Sequence, residues 1–325
     1  MEFHILHTNP LSAVGASIRR ISTYVLSGLF FLFGTLACSP DESSTVKNRF
    51  HVVCTTGMIG DAVTQIAGEK AVVHTLMGPG VDPHLYKATQ GDLHHLMNAD
   101  LILYNGLHLE GKMGEVFHKL SRTKKVVALA ELLPRDQLLY AANDSNAFDP
   151  HVWFDAALWA DVVRLAGKAL AEADTTNGIY YLRRAESYAR TFDSLHLWIA
   201  SQIESIPTNQ RVLITAHDAF GYFGKAYNIE VRGLQGISTA SEYGLRDISE
   251  LVTFISARKI KSVFVESTIS SKSLEAVVEG CARRGHSVSI GGHLYTDALG
   301  APDTPEGAYF GALHANVQTI CTALK

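Results

Sequence analysis

Three histidines and one aspartate stand where predicted β-strands have just ended, and their side chains suit metal coordination. They are His84, His151, His217 and Asp297. Imidazole and carboxylate are the usual zinc ligands in sites without cysteine, and zinc takes about four donors. Pro83 and Pro150 directly precede two of the histidines and stiffen the backbone there, which lowers the ordering cost of binding. The pattern favours a divalent-metal site, and the alternative is a set of turn histidines with capping acids.

Acidic residues near the histidines could accept the proton of the second ring nitrogen and so fix each imidazole tautomer. The candidates are Asp82, Asp149, Asp155 and Asp218. Most of the 15 histidines need no special function, and we expect His94 and His95 to face solvent from a helix. The chain contains no HExxH sequence, which weakens a metallopeptidase interpretation.

Short apolar strands alternate with helical segments, and this alternation predicts an α/β fold with parallel sheets. The predicted strands are 50–55, 71–77, 99–105, 125–128, 211–215, 229–234, 262–266 and 287–291. The predicted helices include 61–67, 90–98, 245–258, 273–284 and 306–324. Ligands gather at the carboxyl ends of parallel strands, so the candidate residues of the two halves could meet across a cleft.

The segment 177–206 carries apolar residues at helical spacing and is followed by Pro207, which predicts one long helix. No heptad repeat continues past it, so we favour a rigid rod between two lobes over a coiled coil. The predicted organisation is a lobe at 50–176, a linking helix at 177–206 and a second lobe at 207–325.

The N-terminus has the layout of an export signal. Arg19 and Arg20 precede an apolar run at 21–37, which is too short to span a bilayer comfortably. We expect a signal peptide at 1–37, with an uncleaved anchor as the alternative. Cys38 resembles the acylated cysteine of bacterial lipoproteins, although Thr35 stands where that pattern has a large aliphatic residue. The polar segment 38–49 would then be a tether.

Composition limits the remaining possibilities. The chain has 325 residues, 47% of them hydrophobic and 18% charged, which fits a globular protein of about two domains. A formal net charge of −4 offers no basic field for nucleic acid. Cys54, Cys281 and Cys321 show no CxxC spacing, so a thiolate zinc site is not expected and no disulfide pair can be chosen.

The chain resembles the metal-specific solute-binding proteins of ABC importers, known as the cluster A-I group. The similar stretches are 77–86, 99–109, 148–155, 215–223, 233–242 and 291–300. The resemblance implies two α/β lobes joined by one long rigid helix, with His84, His151, His217 and Asp297 as ligands in the cleft. It also implies an extracytoplasmic, monomeric binding protein, not an enzyme, that delivers zinc or manganese to a membrane permease.

Two features bear on the metal. The segment 134–149 is short and contains no histidine, whereas zinc-dedicated members of this group often carry a histidine-rich loop. His217 stands where manganese-dedicated members tend to have glutamate, and imidazole suits zinc. We therefore expect tight zinc binding and leave manganese open as cargo. The alternative functions are an exported zinc-dependent hydrolase and a surface adhesin.

Overall fold

The computed structural model describes residues 49–141, 144–241 and 243–325. The expected signal peptide, Cys38 and the tether as far as residue 48 lie outside these ranges. Within them, no helix combines the length and the apolar character needed to cross a membrane. Cys54, Cys281 and Cys321 are free, buried thiols.

The N-terminal lobe is built on a four-stranded parallel sheet in the order β2-β1-β3-β4. Its strands are β1 Phe50–Cys54, β2 Ala71–Thr75, β3 Leu101–Tyr104 and β4 Lys125–Ala128. Its helices are α1 Gly57–Ala67, α2 Gln90–Asn98 and α3 Gly114–Leu120. An antiparallel hairpin follows, formed by β5 Tyr140–Ala141 and β6 Asp144–Phe148. Helix α2 begins with a capping box of Thr89 and Asp92, which fixes where the loop carrying His84 ends.

The C-terminal lobe repeats this plan with a parallel sheet in the order β10-β9-β7-β8. Its strands are β7 Val212–His217, β8 Glu230–Gln235, β9 Ser262–Glu266 and β10 Ser289–Leu294. Every residue of β7 and β9 is buried, as expected for central strands covered by helices on both faces.

Helices connect the lobes and cover the second sheet. They are α4 Ala156–Ala173, α5 Gly178–Ala189, α6 Thr191–Glu204, α7 Gly221–Tyr227, α8 Leu245–Arg258, α9 Lys272–Arg283 and α10 Tyr309–Leu324. The predicted linking helix is present as α5 and α6, and it bends at Arg190, which keeps helical dihedrals. The Thr191 hydroxyl donates to Tyr188 O at 2.5 Å, and Asp193 N donates to Arg190 O in a tighter turn. Such local side-chain bonding bends helices.

A continuous apolar cluster contains buried residues of both lobes and of α4, α5 and α6. Hydrogen bonds join the lobes through this core: Trp153 Nε1 donates to Thr296 O at 3.0 Å, and the Tyr309 hydroxyl donates to Trp153 O. The fold of two α/β lobes with parallel sheets and a long linking helix is confirmed. The predicted lobe limits at 50–176 and 207–325 stay predictions. Helix α4, placed in the N-terminal lobe by those limits, packs along α5 of the linking helix, so the packing marks no boundary between them.

Several predicted boundaries were wrong. The first helix, predicted at 61–67, begins at Gly57 instead and includes Gly60, where a Cβ would overlap the Thr75 side chain. The C-terminal helix begins at Tyr309 and not at 306, after a short 3₁₀ turn. Residues 140–141 and 144–148 form two paired strands that were not predicted, and α4 was not predicted either.

Candidate metal centre

The fold brings all four predicted ligands together, two from each lobe. His84 lies in the loop between β2 and α2, and His151 follows β6 directly before a 3₁₀ turn. His217 is the last residue of β7, so its strand is longer than predicted, and Asp297 lies three residues after β10. Exposures of 4%, 0%, 0% and 2% show that all four side chains are shielded from solvent.

The four side chains converge on one point. One ligand atom from each lies within 4.8 Å of the others. His84 Nε2 is 3.3 Å from His151 Nε2 and 3.7 Å from Asp297 Oδ2. His217 Nε2 is 3.3 Å from Asp297 Oδ2, and His151 Nε2 is 3.5 Å from Asp297 Oδ1. Donors at metal distances of about 2.0–2.2 Å are spaced in this way around one tetrahedral ion.

Several of these inward-facing atoms lack hydrogen-bond partners. His217 Nε2 and both carboxylate oxygens of Asp297 are buried without a partner. Buried polar atoms are nearly always satisfied, and an unpaired carboxylate is especially costly. A divalent cation at the centre would satisfy all three atoms at once, so the arrangement fits a metal ion.

Carboxylates on the outer side set the histidine tautomers. His151 Nδ1 donates to Asp149 Oδ1 at 2.7 Å, and His217 Nδ1 donates to Glu266 Oε2 at 2.5 Å. The proton on Nδ1 leaves the Nε2 lone pair directed at the centre, which is the tautomer that binds metal. Glu266 also accepts from His217 N at 2.9 Å, so it holds both the ring and its backbone.

Three of the four acids suggested as tautomer-fixing partners act differently, and Asp82 is described below with Asp149. Asp155 caps α4 through Ala157 N and lies 3.8 Å from His196, away from the ligands. Asp218 makes no hydrogen bond to His217, whose partner is Glu266 on the neighbouring strand β9. Sequence proximity was misleading here, because the partner comes from an adjacent strand 49 residues away.

Asp149 and Asp82 do contact the predicted ligands. Asp149 was predicted and is confirmed as a partner of His151. Asp82 accepts from the His84 backbone N at 2.9 Å and does not contact its ring. Each of the three histidines is therefore positioned by a carboxylate, through the ring, the backbone or both.

Burial and neighbouring charges shift the pKa values of three of the candidate ligands. Burial lowers the pKa of His84 to about 3, although Asp297 acts in the opposite direction. Burial alone would lower the pKa of His217, but Glu266 and Asp297 outweigh it and hold that pKa well above its usual range. Burial alone would raise the pKa of Asp297, but His217 and the other imidazoles outweigh it and lower that pKa. The carboxylates of Glu266 and Asp297 therefore favour a positive charge at this position.

The loop between β3 and the turn at residue 110 supports the backbone next to His151. The sequence analysis did not predict this role for Asn105 or Glu110. The side chain of Asn105 donates to Pro150 O at 3.0 Å, next to His151. Glu110 is buried and accepts from Asn105 N and from the Thr55 hydroxyl. Leu107 adopts a left-handed backbone with φ 52°, a strain that the surrounding hydrogen bonds hold in place.

An open cleft of about 860 Å³ leads from the surface to the centre. Both lobes line it, and His84 is the predicted ligand at its inner wall. His108 and Phe148 lie on the N-terminal side, and Asp218 and Arg232 on the C-terminal side. The cleft therefore reaches the candidate centre from the side of His84, and the other three candidate ligands do not line it.

Comparison with known proteins agrees with this geometry. Residues 52–323 match the family model described as "Zinc-uptake complex component A periplasmic" (ZnuA). The chain is 46% identical over 298 residues to the manganese-binding lipoprotein MntA of Bacillus subtilis, covering 91% of this chain and 97% of the relative. It is also 46% identical over 300 residues to the zinc-binding protein TroA of Treponema pallidum, covering 92% of this chain and 95% of the relative.

A solved structure gives the same result. The periplasmic zinc-binding protein TroA of Treponema pallidum superimposes with a TM-score of 0.82 at 48% identity, covering 85% of this chain and 99% of TroA. The matched family residues begin in β1 and end in α10, so they include both lobes and every predicted ligand. The chain therefore belongs to the zinc-uptake complex component A (ZnuA) family of solute-binding proteins.

Proposed function

We propose that this protein binds one divalent metal ion, zinc or manganese, at His84, His151, His217 and Asp297, and delivers it to the membrane permease of an ABC importer. The observation that carries the proposal is the convergence of four buried donors from two lobes, three of whose atoms have no other partner. The relatives named for zinc and manganese binding support the choice of cargo.

The donor set favours zinc but also accommodates manganese. Three imidazoles suit zinc, and the Irving–Williams order gives zinc the higher intrinsic affinity. Both oxygens of Asp297 face the centre without a partner, so the carboxylate can bind in a bidentate manner and raise the coordination number. A fifth, oxygen donor suits manganese. We therefore expect both ions to bind, with zinc the tighter.

The test is metal content followed by titration. Purified protein should contain about one metal equivalent, and the stripped protein should bind zinc and manganese at one shared site. His217→Ala should lose this site, whereas His118→Ala, which changes an exposed histidine, should keep it. A His217→Ala variant with parental zinc affinity would refute the ligand assignment. A parent protein that binds neither ion would refute the proposed function.

An extracytoplasmic location accompanies this function. The named relatives include lipoproteins, which supports acylation of Cys38 and a tether at 38–49. Mass analysis of the mature N-terminal peptide decides this point, since an acylated Cys38 adds lipid mass and its Cys38→Ala variant cannot. The mature protein is proposed to act as a monomer, which light scattering would test.

Membership in a family of solute-binding proteins favours transport over the two alternatives weighed from the sequence. A zinc hydrolase needs an open coordination position for water. Here Asp297 directs two oxygens into the space that such a water would use. The surface adhesin is likewise not favoured, because the relatives are named for the metals they bind.

A further inference from the structure

A hydrogen bond joins the two lobes directly beside His84. Asp82, two residues before His84, accepts from the Thr239 hydroxyl through Oδ2 at 2.6 Å. Its other oxygen, Oδ1, accepts from the His84 backbone N at 2.9 Å. One carboxylate therefore connects the ligand loop of the N-terminal lobe to the 236–241 loop of the C-terminal lobe.

The C-terminal side of this contact is anchored next to another ligand. Gln235 Nε2 donates to Thr239 O at 2.7 Å and also to Ser241 O. Gln235 is the last residue of β8 and pairs with His217 in the sheet. A short path of contacts thus runs from His84 through Asp82, Thr239 and Gln235 to His217.

Release of the metal must separate donors that come from different lobes. His84 and His151 lie in the N-terminal half, and His217 and Asp297 in the C-terminal half. Residues of the 236–241 loop line the cleft, so moving this loop away from the His84 loop widens the opening to the centre. The Asp82–Thr239 hydrogen bond joins these two loops, so it must break for them to separate.

We propose that Thr239 is a positioning residue whose hydrogen bond to Asp82 latches the lobes at the cleft and slows metal release. The inference rests on the proposed function, since it concerns dissociation from the same metal site. Thr239 is not a ligand: it acts on His84 through Asp82. The bond is charge-assisted and about half-buried, which makes it stronger than a bond between neutral surface groups.

The test compares variants that differ by one hydroxyl. Thr239→Val removes the hydroxyl at nearly constant volume, and Thr239→Ser retains it. Zinc-loaded protein is mixed with excess chelator, and the dissociation rate constant is measured by stopped flow. Thr239→Val should release zinc about tenfold faster, which corresponds to about 1.4 kcal/mol. Thr239→Ser should release it at the parental rate.

Two controls separate the latch from general destabilisation. Thr123→Val removes an exposed threonine hydroxyl that bonds only locally to Leu120 O, and it should leave the rate unchanged. In an Asp82→Asn background, Thr239→Val should have a smaller effect, because a neutral amide oxygen accepts a weaker bond. Thermal unfolding of the metal-stripped variants checks that each one folds.

Distinct outcomes overturn distinct claims. If Thr239→Val releases zinc at the parental rate, the latch is wrong while the metal site stands. Equal acceleration in the Val and Ser variants would also overturn it, because the hydroxyl would then be irrelevant. A parent protein that takes up no zinc would refute the proposed function and, with it, the latch.

Discussion

Gly233 is the residue at which one added methyl group should damage the metal centre most directly. It lies in β8 and pairs with Thr215 of β7. Thr215 is two residues before His217, the last residue of β7. A Cβ at this position would lie 2.6 Å from the His217 carbonyl carbon and closer still to Asp218 N. Both are backbone atoms of β7, so no side-chain rotation can relieve the overlap.

The size of the effect follows from this overlap. Carbon atoms pack at about 3.5–4.0 Å, so Gly233→Ala requires a shift of about 1 Å between β7 and β8. Metal–ligand distances tolerate only about 0.2 Å. His217 must therefore move beyond bonding distance or strain the sheet, and overpacking of this kind costs about 1–3 kcal/mol. We expect zinc affinity to fall by about tenfold to a hundredfold.

The assay is competitive zinc titration of Gly233→Ala and of Gly236→Ala. Gly236 lies just beyond the same strand, and a Cβ there would meet no atom within 4 Å. The control should keep parental affinity and the same unfolding temperature. If Gly233→Ala binds zinc as tightly as Gly236→Ala does, the claim that this close approach positions His217 is refuted.

Two further predictions concern protons at the same centre. Glu266→Gln should weaken zinc binding by about tenfold to a hundredfold. Each carboxylate oxygen of Glu266 accepts one hydrogen bond from His217, at N or at Nδ1, and the NH₂ group of glutamine cannot accept either. Calorimetric zinc titration measures the effect, with Glu279→Gln as the exposed control. Zinc binding should release at least one proton and weaken by about tenfold per pH unit as pH falls from 8 to 5. The proton comes from His217, whose pKa is raised, whereas His84, with a pKa of about 3, is already neutral. Titrations in buffers of different ionisation enthalpy count the protons, and an affinity that is independent of pH would contradict the assignment.

Strand and helix patterns predicted most of the framework. The limits of β4, α2, α8 and β9 were predicted to the residue, because each is a short apolar or amphipathic run between clear breaks. Glycine misled the prediction at α1, where tertiary packing against Thr75 requires a small residue inside a helix. The same principle explains Gly233, whose importance depends on how closely two strands approach.

The four candidate residues could be predicted from the sequence, but of the carboxylates that hold their rings only Asp149 was. Positions after predicted strands indicated all four candidate residues, and the resemblance pointed to the same four. Glu266, in contrast, becomes visible as a partner only when β9 lies beside β7. The sequence does place Glu266 at the end of a predicted strand, and that signal was available. Thr239 and Asp82 are 157 residues apart, and local patterns carry no information about such a contact.

The division of ligands between lobes has a mechanical consequence. One apolar cluster runs through both lobes and the linking helices, so bending the whole molecule would expose buried apolar surface. At the cleft, polar bonds such as Asp82–Thr239 join loops of the two lobes. Opening at the cleft therefore costs less free energy than opening at the linking helix. We expect a permease that extracts the metal to displace these loops, which would separate His84 from His217 and leave the core intact.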